Sequence, residues 1–440
     1  MYNKILTMSL KLASVLVISL GYAMLNQSFA ACTQTGIAQT EDDRTAKIVF
    51  GTVNLPSLHL MPPGTPIDTK VVPPTEYTFG GANAESLLWT CDKADLPKIY
   101  FLAATNGDDR VGGFFDLGEP DGLKDVYGTY FSYVGLYQSM NGVSLTRYWK
   151  SIPITDYDEE NGKILIRLKH LPTLQATIYR ISTLPPQSGA ASNWCGTGIL
   201  PITGVYNCNQ PSAYIQLSGA DDVSMSFGRD KVGQDSAYNI AFWGSDNGFG
   251  YGMNTTVNVL KTKPACAIRN NTPLVLLPTI SAQALNQGAQ STVPFQVEIE
   301  CENLMKSGTA SDQTAIAFLA NTNAYQQAVN MGIANDKVTE YLLSDEYGTD
   351  SQLATGVGIQ LMNNANQKKM YFQNPNLPTG GGESSGWYPV LDGKPENLGE
   401  TVADHAMHRQ EYLAILKALP GYQATPGKIK ATATIVVKVQ

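Results

Sequence analysis

Short runs of alternating apolar and polar residues cover most of the chain, and clusters of Gly, Pro, Asn and Asp separate them. Alternation with a period of two is typical of strands that bury one face. In the first half the runs that fit this pattern are 46–50, 98–102, 163–168 and 176–181. Many short strands divided by turns predict an all-β protein built from β-sandwich domains.

Turn and helix signals refine this pattern at a few places. Asn161 and Gly162 stand between two strand-like runs, and both residue types tolerate the positive φ that a two-residue hairpin needs. We therefore expect a hairpin there. Helical periodicity is scarce, and we predict short helical segments only at 323–333 and 410–419.

Residues 1–30 have the pattern of a secretory signal peptide. Lys4 and Lys11 precede the apolar run 12–20, and the small residues Ser28 and Ala30 occupy the cleavage positions. A lipoprotein cleavage site before Cys32 is the alternative. No later run is long and apolar enough to predict a spanning helix.

Composition limits the class of protein further. Without the two lysines of the leader, the chain has 28 cationic and 38 acidic residues and a net charge of about −10, so nucleic acid is not an expected partner. About 410 remaining residues exceed what one hydrophobic core usually serves, which predicts two domains. The boundary is expected near 261–264, where a strand-like run gives way to polar residues and Pro264. The two domains are then 31–260 and 264–440.

The six cysteines of an exported chain predict three disulfides. They contain no CxxC pair and none lies near a histidine, so no metal site is expected. Among the possible connectivities we favour sequential pairing, Cys32–Cys91, Cys195–Cys208 and Cys266–Cys301.

The end of the chain carries the clearest strand pattern. After Gly427, apolar residues occupy every second position, so that one face of the strand is apolar throughout: Ile429, Ala431, Ala433, Ile435, Val437 and Val439. Such a strand needs a cover, which is either an earlier strand of the chain or a strand of another protein.

Residues 264–440 resemble the pilin domain of chaperone-usher fimbrial subunits. Segment 264–268 resembles the first pilin strand, 293–301 the second, and 355–361 the glycine-spaced middle strand. The tail adds a fourth feature, a glycine fourteenth from the end before the alternating strand. Val439 departs from the family, where an aromatic residue is common, and the loops around 320–351 and 363–401 are unexplained.

This resemblance implies an immunoglobulin-like sandwich that lacks its last strand. The implied partners are a periplasmic chaperone, an outer-membrane usher and an adjacent pilus subunit, whose donor strand fills a groove beside the C-terminal strand. Gly427 and the apolar tail face would line that groove, and the Gln440 carboxylate would meet basic residues of the chaperone. No cofactor is implied.

The position of the front domain suggests its role. Cys32 follows the expected cleavage site after one residue, which leaves no donor arm for a neighbouring subunit. We therefore expect a two-domain adhesin at the fimbrium tip on the cell surface, which binds a host glycan or surface protein. A non-adhesive structural or adaptor subunit is the alternative.

The ligand site of the front domain is predicted in loops rich in acidic and amide side chains. The first candidate set is Asn106, Asp108, Asp109, Arg110, Asp116 and Asp121, and the second is the segment 243–251. The spacing of the acidic residues lacks the regular ligand positions of an EF-hand, so calcium is not expected.

Catalytic motifs are absent from the sequence. It contains no HExxH, GxSxG, P-loop or dinucleotide fingerprint, and the four histidines do not form one. His405 and His408 could meet on a helical turn, and acidic loops such as 156–160 could supply a carboxylate pair, but neither is an enzyme signature. The chain is not expected to be an enzyme.

Overall fold

A computed structural model describes residues 31–37, 44–195, 200–376 and 380–440. The predicted signal peptide lies outside the described residues. Within them the protein is all-β, as predicted, with few short helices. No helix of the described part is long and apolar enough to cross a membrane.

The front domain consists of short strands in several small sheets. The strands are β1 (Cys32–Gln34), β2 (Ala46–Lys47), β3 (Thr52–Asn54), β4 (Pro66–Val72), β5 (Leu87–Asp92), β6 (Ile99–Thr105), β7 (Val126–Gly128), β8 (Val134–Met140), β9 (Val143–Ser144), β10 (Lys150–Pro153), β11 (Asp158–Glu160), β12 (Lys163–Arg167), β13 (Leu174–Arg180), β14 (Gly204–Tyr206), β15 (Ala213–Gly219), β16 (Gly248–Gly252) and β17 (Thr255–Lys261). Short helical turns lie at Pro74–Glu76, Phe79–Gly81, Lys93–Lys98, Arg110–Phe114, Glu119–Asp121 and Leu168–His170.

These strands form sheets around a large hydrophobic core and a smaller cluster that contains Trp149 and Phe242. The strand orders are β1-β5-β12-β11, β10-β6-β15-β16-β2, β4-β13-β8-β7 with β9 on β8, and β14-β17-β3. Buried rings connect the sheets: Trp89 packs edge to face on Phe249 with centroids 5.6 Å apart, and Tyr77 packs on the same ring at 5.2 Å. Such contacts add to the stabilisation from buried apolar area.

The back domain is a sandwich of two sheets with its own core. Its strands are β18 (Cys266–Asn271), β19 (Ser291–Glu302), β20 (Thr314–Ala320), β21 (Val338–Thr339), β22 (Val357–Asn363), β23 (Lys368–Met370), β24 (Phe372–Gln373), β25 (Tyr388–Pro389), β26 (Glu396–Val402), β27 (His405–Ala418) and β28 (Ala433–Val439). Its helices are α1 (Ala282–Asn286) and α2 (Thr322–Asn330), and a short helical turn lies at Gly382–Ser385.

One sheet has the order β18-β19-β27-β22-β23, with β26 on β27, and the other has the order β21-β24-β20-β25, with β28 on β20. The inner faces bury Val297 and Ile299 of β19 against Phe318 of β20 and Tyr412 of β27. The two Phe/Tyr rings meet edge to face at 5.0 Å. This packing makes the back domain a two-layer sandwich.

Most local predictions match the structure. Asn161 and Gly162 form the turn between β11 and β12 with φ values of 50° and 76°. The predicted helix at 323–333 is α2. The run 46–50 is a strand only over Ala46–Lys47.

The predicted helix at 410–419 is wrong, because residues 410–418 belong to β27. β27 pairs with β19 along twelve residues and with β22 on its other side, so its backbone groups are used by the ladders. Gln410, Tyr412, Ala414 and Leu416 are buried with a period of two. Pairing on both sides outweighs the weak local helix preference of this segment.

The cysteines form three disulfides in sequential order, Cys32–Cys91, Cys195–Cys208 and Cys266–Cys301. The first and last join directly paired residues of neighbouring strands, β1 to β5 and β18 to β19. Each domain therefore has a disulfide that fixes its first strand to the sheet. A covalent link of this kind chiefly restricts the unfolded chain.

Polar contacts join the two domains at their boundary. Ser57 Oγ lies 2.9 Å from His405 Nε2, and His59 Nε2 lies 3.0 Å from Glu300 Oε1. Arg269 Nη2 donates to the His59 carbonyl at 2.9 Å and Arg269 Nε to Glu300 at 2.6 Å. Glu300 is thus a buried carboxylate shared by both domains.

Burial raises the pKa of Glu300, but hydrogen bonds from Thr401, His59 and Arg269, with the Arg269 charge, outweigh it and bring the pKa to about 2. A lowered carboxyl pKa stabilises the fold above the ordinary value of 4.5, and this stabilisation is lost as the pH falls towards 2.

We therefore expect Glu300→Gln to flatten the dependence of Tm on pH between about 4.5 and 2. Calorimetry of the two chains across this pH range measures the effect. Glu400→Gln, an exposed carboxyl on the same sheet, is the control and should leave the profile unchanged. Equal slopes for Glu300→Gln and the unmodified chain would contradict the role of Glu300.

Candidate functional site: an open groove in the back domain

The last strand of the back domain is paired along one edge. β28 pairs antiparallel with β20, from Ala433 opposite Ala320 to Val439 opposite Thr314. The extended segment before it, 428–432, hydrogen-bonds to 344–354 on the same side: Lys428 N donates to the Gln352 carbonyl and Ala354 N to the Lys428 carbonyl, both at 2.9 Å. No backbone partner for the opposite edge of 429–439 is found among the described residues. We call this the outer edge.

A groove lies beside the outer edge at its upstream end. One wall is the segment 427–431 and the other is the extended segment 274–280, which follows β18. The floor consists of Leu285, Val357 and Leu416, each at most 4 % exposed. The groove contains about 1650 Å³ of space that is open to solvent. It is apolar at the bottom and offers unpaired backbone groups at its side.

Side-chain burial shows that the core is incomplete here. Ala433, Ile435 and Val437 point towards the core formed by Val297, Ile299 and their neighbours, and Ile429 points towards the groove floor. These residues are only half-buried, whereas Val297 and Ile299 on the facing sheet are fully buried. Leu274 and Leu276 of the opposite wall are 68 % and 73 % exposed. An apolar strand placed between the walls would cover all of them.

The residues at the two ends of the predicted tail have distinct surroundings. A Cβ on Gly427 would lie 2.3 Å from Ala354 N, so this position needs glycine for the close approach of two backbones. Gln440 O accepts hydrogen bonds from Lys261 Nζ at 2.8 Å and from Asp312 N at 2.9 Å. Lys261, the last residue of β17, is thus a basic group of the same chain that meets Gln440.

The structure places most of the first predicted ligand set inside the front domain. Asn106, Asp109 and Arg110 are at most 3 % exposed. Asn106 Nδ2 donates to the Pro211 carbonyl, Asp109 accepts from Val111 N, and Arg110 donates to the carbonyls of Pro185 and Pro186. These side chains stabilise the loop, which argues against direct contact with a receptor.

The other members of that set are also held by the fold. Burial raises the pKa of Asp108, although its hydrogen bonds with Ser192 and Trp194 lower the pKa in part. Asp116 accepts from three backbone amides, and Asp121 accepts from Ser182 N at 2.7 Å. Asp116 lines a surface pocket. In the second set, Asn247 is buried and accepts from Trp89 Nε1, while Trp243 is 38 % exposed.

The histidine pair proposed from spacing is not a joint site. His405 and His408 lie on β27, where residues three apart point to opposite faces. His405 contacts Ser57 across the domain boundary and the Ala403 carbonyl. Burial lowers the pKa of His408.

Comparison with known proteins gives a family for the back domain. Residues 253–440 match the family model described as fimbrial protein. We call residues 264–440, all of which lie within this match, the fimbrial domain. No curated protein sequence matches the chain.

Solved structures that match the chain at low identity and low TM-score include pilus and adhesin subunits. The P pilus rod subunit PapA is 18 % identical over 42 % of this chain and 97 % of its own, with a TM-score of 0.24. The CupB6 tip adhesin from Pseudomonas aeruginosa is 12 % identical over 93 % and 95 %, with a TM-score of 0.23. CfaE, the adhesive subunit of CFA/I fimbria of enterotoxigenic Escherichia coli, is 9 % identical over 89 % and 98 %, with a TM-score of 0.19.

Sequence reasoning missed one wall of the groove in the fimbrial domain. The tail face was recognised from its alternation, but segment 274–280 was not assigned to the groove. The only sequence signal of this segment is the spacing of Leu274 and Leu276, two positions apart, directly after the first strand of the back domain. Two residues are too few to distinguish such a segment from an ordinary loop. The floor residue Leu416 lay in the segment predicted to be helical.

The groove of the fimbrial domain should bind an extended peptide. A synthetic peptide of about ten residues with apolar side chains at every second position should raise the Tm of this domain, and above Kd the increase should follow the logarithm of the peptide concentration. Stabilisation by mass action reaches about 2.7 kcal/mol at a free peptide concentration of 100 Kd. Scanning calorimetry measures the shift. A peptide with Asp at the apolar positions is the control, and equal Tm values with both peptides would contradict strand binding.

Proposed function

We propose that this protein is a fimbrial adhesin, with a front domain that binds a host surface and a fimbrial domain that enters the pilus by accepting a donor strand. The observation that carries the proposal is the open groove beside the outer edge of 429–439. A strand inserted there would form backbone hydrogen bonds along the outer edge and bury apolar side chains on Leu285, Val357 and Leu416.

The same groove supports the proposal of three partners. A periplasmic chaperone would fill it first, because an exposed apolar edge of this kind promotes aggregation during export. At the outer-membrane usher, the donor strand of an adjacent subunit would take its place. Backbone hydrogen bonding provides affinity to both, and the alternating pockets decide which sequence fits.

The front domain supplies the second activity. It has its own core and its own disulfides, so it can present a rigid surface at a distance from the pilus. We propose that this surface binds a host glycan, and that the chain occupies the tip of the fimbrium. Loops supported by a rigid sheet are suited to such recognition.

Coexpression with the fimbrial chaperone tests the assembly role. The chain should form a stable 1:1 complex, and Ile429→Asp should weaken it at least about 100-fold, because the carboxylate would be buried without a partner. Lys430→Asp is the matched control, since Lys430 is exposed on the opposite face of the same segment.

Deletion of residues 428–440 should abolish the complex. An unchanged complex with Ile429→Asp or after this deletion would exclude the groove as the assembly site.

Binding of the complex to a panel of glycans and matrix proteins tests the adhesive role, and no binding to any of them would favour a structural or adaptor subunit.

A further inference from the structure

A surface pocket of the front domain combines aromatic walls with charged groups. It lies between the segments 114–127 and 146–150 and contains about 800 Å³ of space open to solvent. The lining residues that matter here are Phe114, Asp116, Asp125, Arg147, Tyr148 and Lys150. We call it the aromatic pocket.

Arg147 fixes the aromatic walls of this pocket. Its guanidinium carbon lies 4.2 Å from the centroid of the Phe114 ring, and Nη1 donates to the Phe114 carbonyl at 3.4 Å. Nη2 donates to the Tyr148 hydroxyl at 3.2 Å, and Nε lies 3.0 Å from Asp235 Oδ1. Because the hydroxyl is held, the Tyr148 ring keeps its orientation although 46 % of the residue is exposed. Because the ring is already fixed, the binding of a ligand against it costs little side-chain conformational entropy.

The polar groups of the aromatic pocket differ in availability. Both carboxylate oxygens of Asp116 are occupied by the backbone amides of Gly118, Asp125 and Val126. The half-buried side chains of Asp125 and Lys150 form no hydrogen bond or ion pair that the described residues show. They offer an acceptor and a donor from the two segments that line the pocket, which suits the hydroxyl groups of a sugar, since each hydroxyl both donates and accepts.

The charge of the aromatic pocket selects between classes of saccharide. Two cations, Arg147 and Lys150, face three carboxylates, those of Asp116, Asp125 and Asp235. Arg147 is already compensated by Asp235. The balance therefore gives no net attraction for a sialylated or sulfated sugar.

We infer that the aromatic pocket is the receptor site and that it takes a neutral pyranose, with the sugar's C–H face on the Tyr148 ring and its hydroxyls on Asp125 and Lys150. This inference rests on the proposed adhesive function and adds the position and the ligand class. The pocket combines the two requirements of a saccharide site, an apolar face and a small number of placed polar groups.

The test uses the chain in complex with its chaperone and two sets of immobilised oligosaccharides. One set ends in neutral hexose or N-acetylhexosamine and the other is sialylated or sulfated. We expect binding to members of the neutral set, and Tyr148→Ala should lower the affinity at least about tenfold. Tyr148→Phe should retain most of the affinity, and Lys150→Met should lower it.

Tyr133→Ala is the matched control, because Tyr133 lies in the same domain and is exposed to a similar extent, 41 %. It should bind like the unmodified chain. An unchanged unfolding transition of each variant shows that the front domain remains folded.

The outcomes separate this inference from the proposed function. Glycan binding that survives Tyr148→Ala would overturn the site but leave the adhesive function intact. Binding confined to the sialylated or sulfated set would overturn the ligand class. Binding to no glycan, with the chaperone complex intact, would overturn both the site and the glycan-binding role.

Discussion

The unpaired outer edge of 429–439 is the constraint on which the rest of this protein depends. Backbone amides and carbonyls need hydrogen-bond partners, and apolar side chains gain stability only where something covers them. Here the inner edge is fully used by β20 and by 344–354, while the outer edge and the half-buried Ile435 and Val437 lack a cover from the described residues. In the proposed function, a strand from another chain covers this edge and these side chains.

The front domain solves the same problem within itself. Buried side chains satisfy backbone groups where strands end: Asn258 accepts from the amides of Phe50 and Gly51 and donates to the carbonyls of Ile48 and Met253. β2 and β3 close the edges beside β16 and β17 by parallel pairing.

The end of the chain connects the two domains. Lys438 Nζ donates to Asp68 of the front domain at 2.8 Å, and Lys261 Nζ donates to Gln440 O. The strand that flanks the groove thus also contacts the front domain. Glu300, shared by His59 and Arg269, adds a second polar link at the same boundary.

Sequence alone determined the features that depend on local pattern. The all-β class, the Asn161-Gly162 hairpin and the apolar face from Ile429 to Val439 follow from a period of two and from residues that tolerate positive φ. Tertiary structure decided what depends on remote partners. It made 410–418 part of a strand between β19 and β22, and it brought 274–280 opposite the tail. It also buried Asn106 and Arg110, whose side chains donate to backbone carbonyls 105 and 75 residues away. Such contacts join segments far apart in the chain, and a local pattern of side chains contains no information about which distant backbone will meet it.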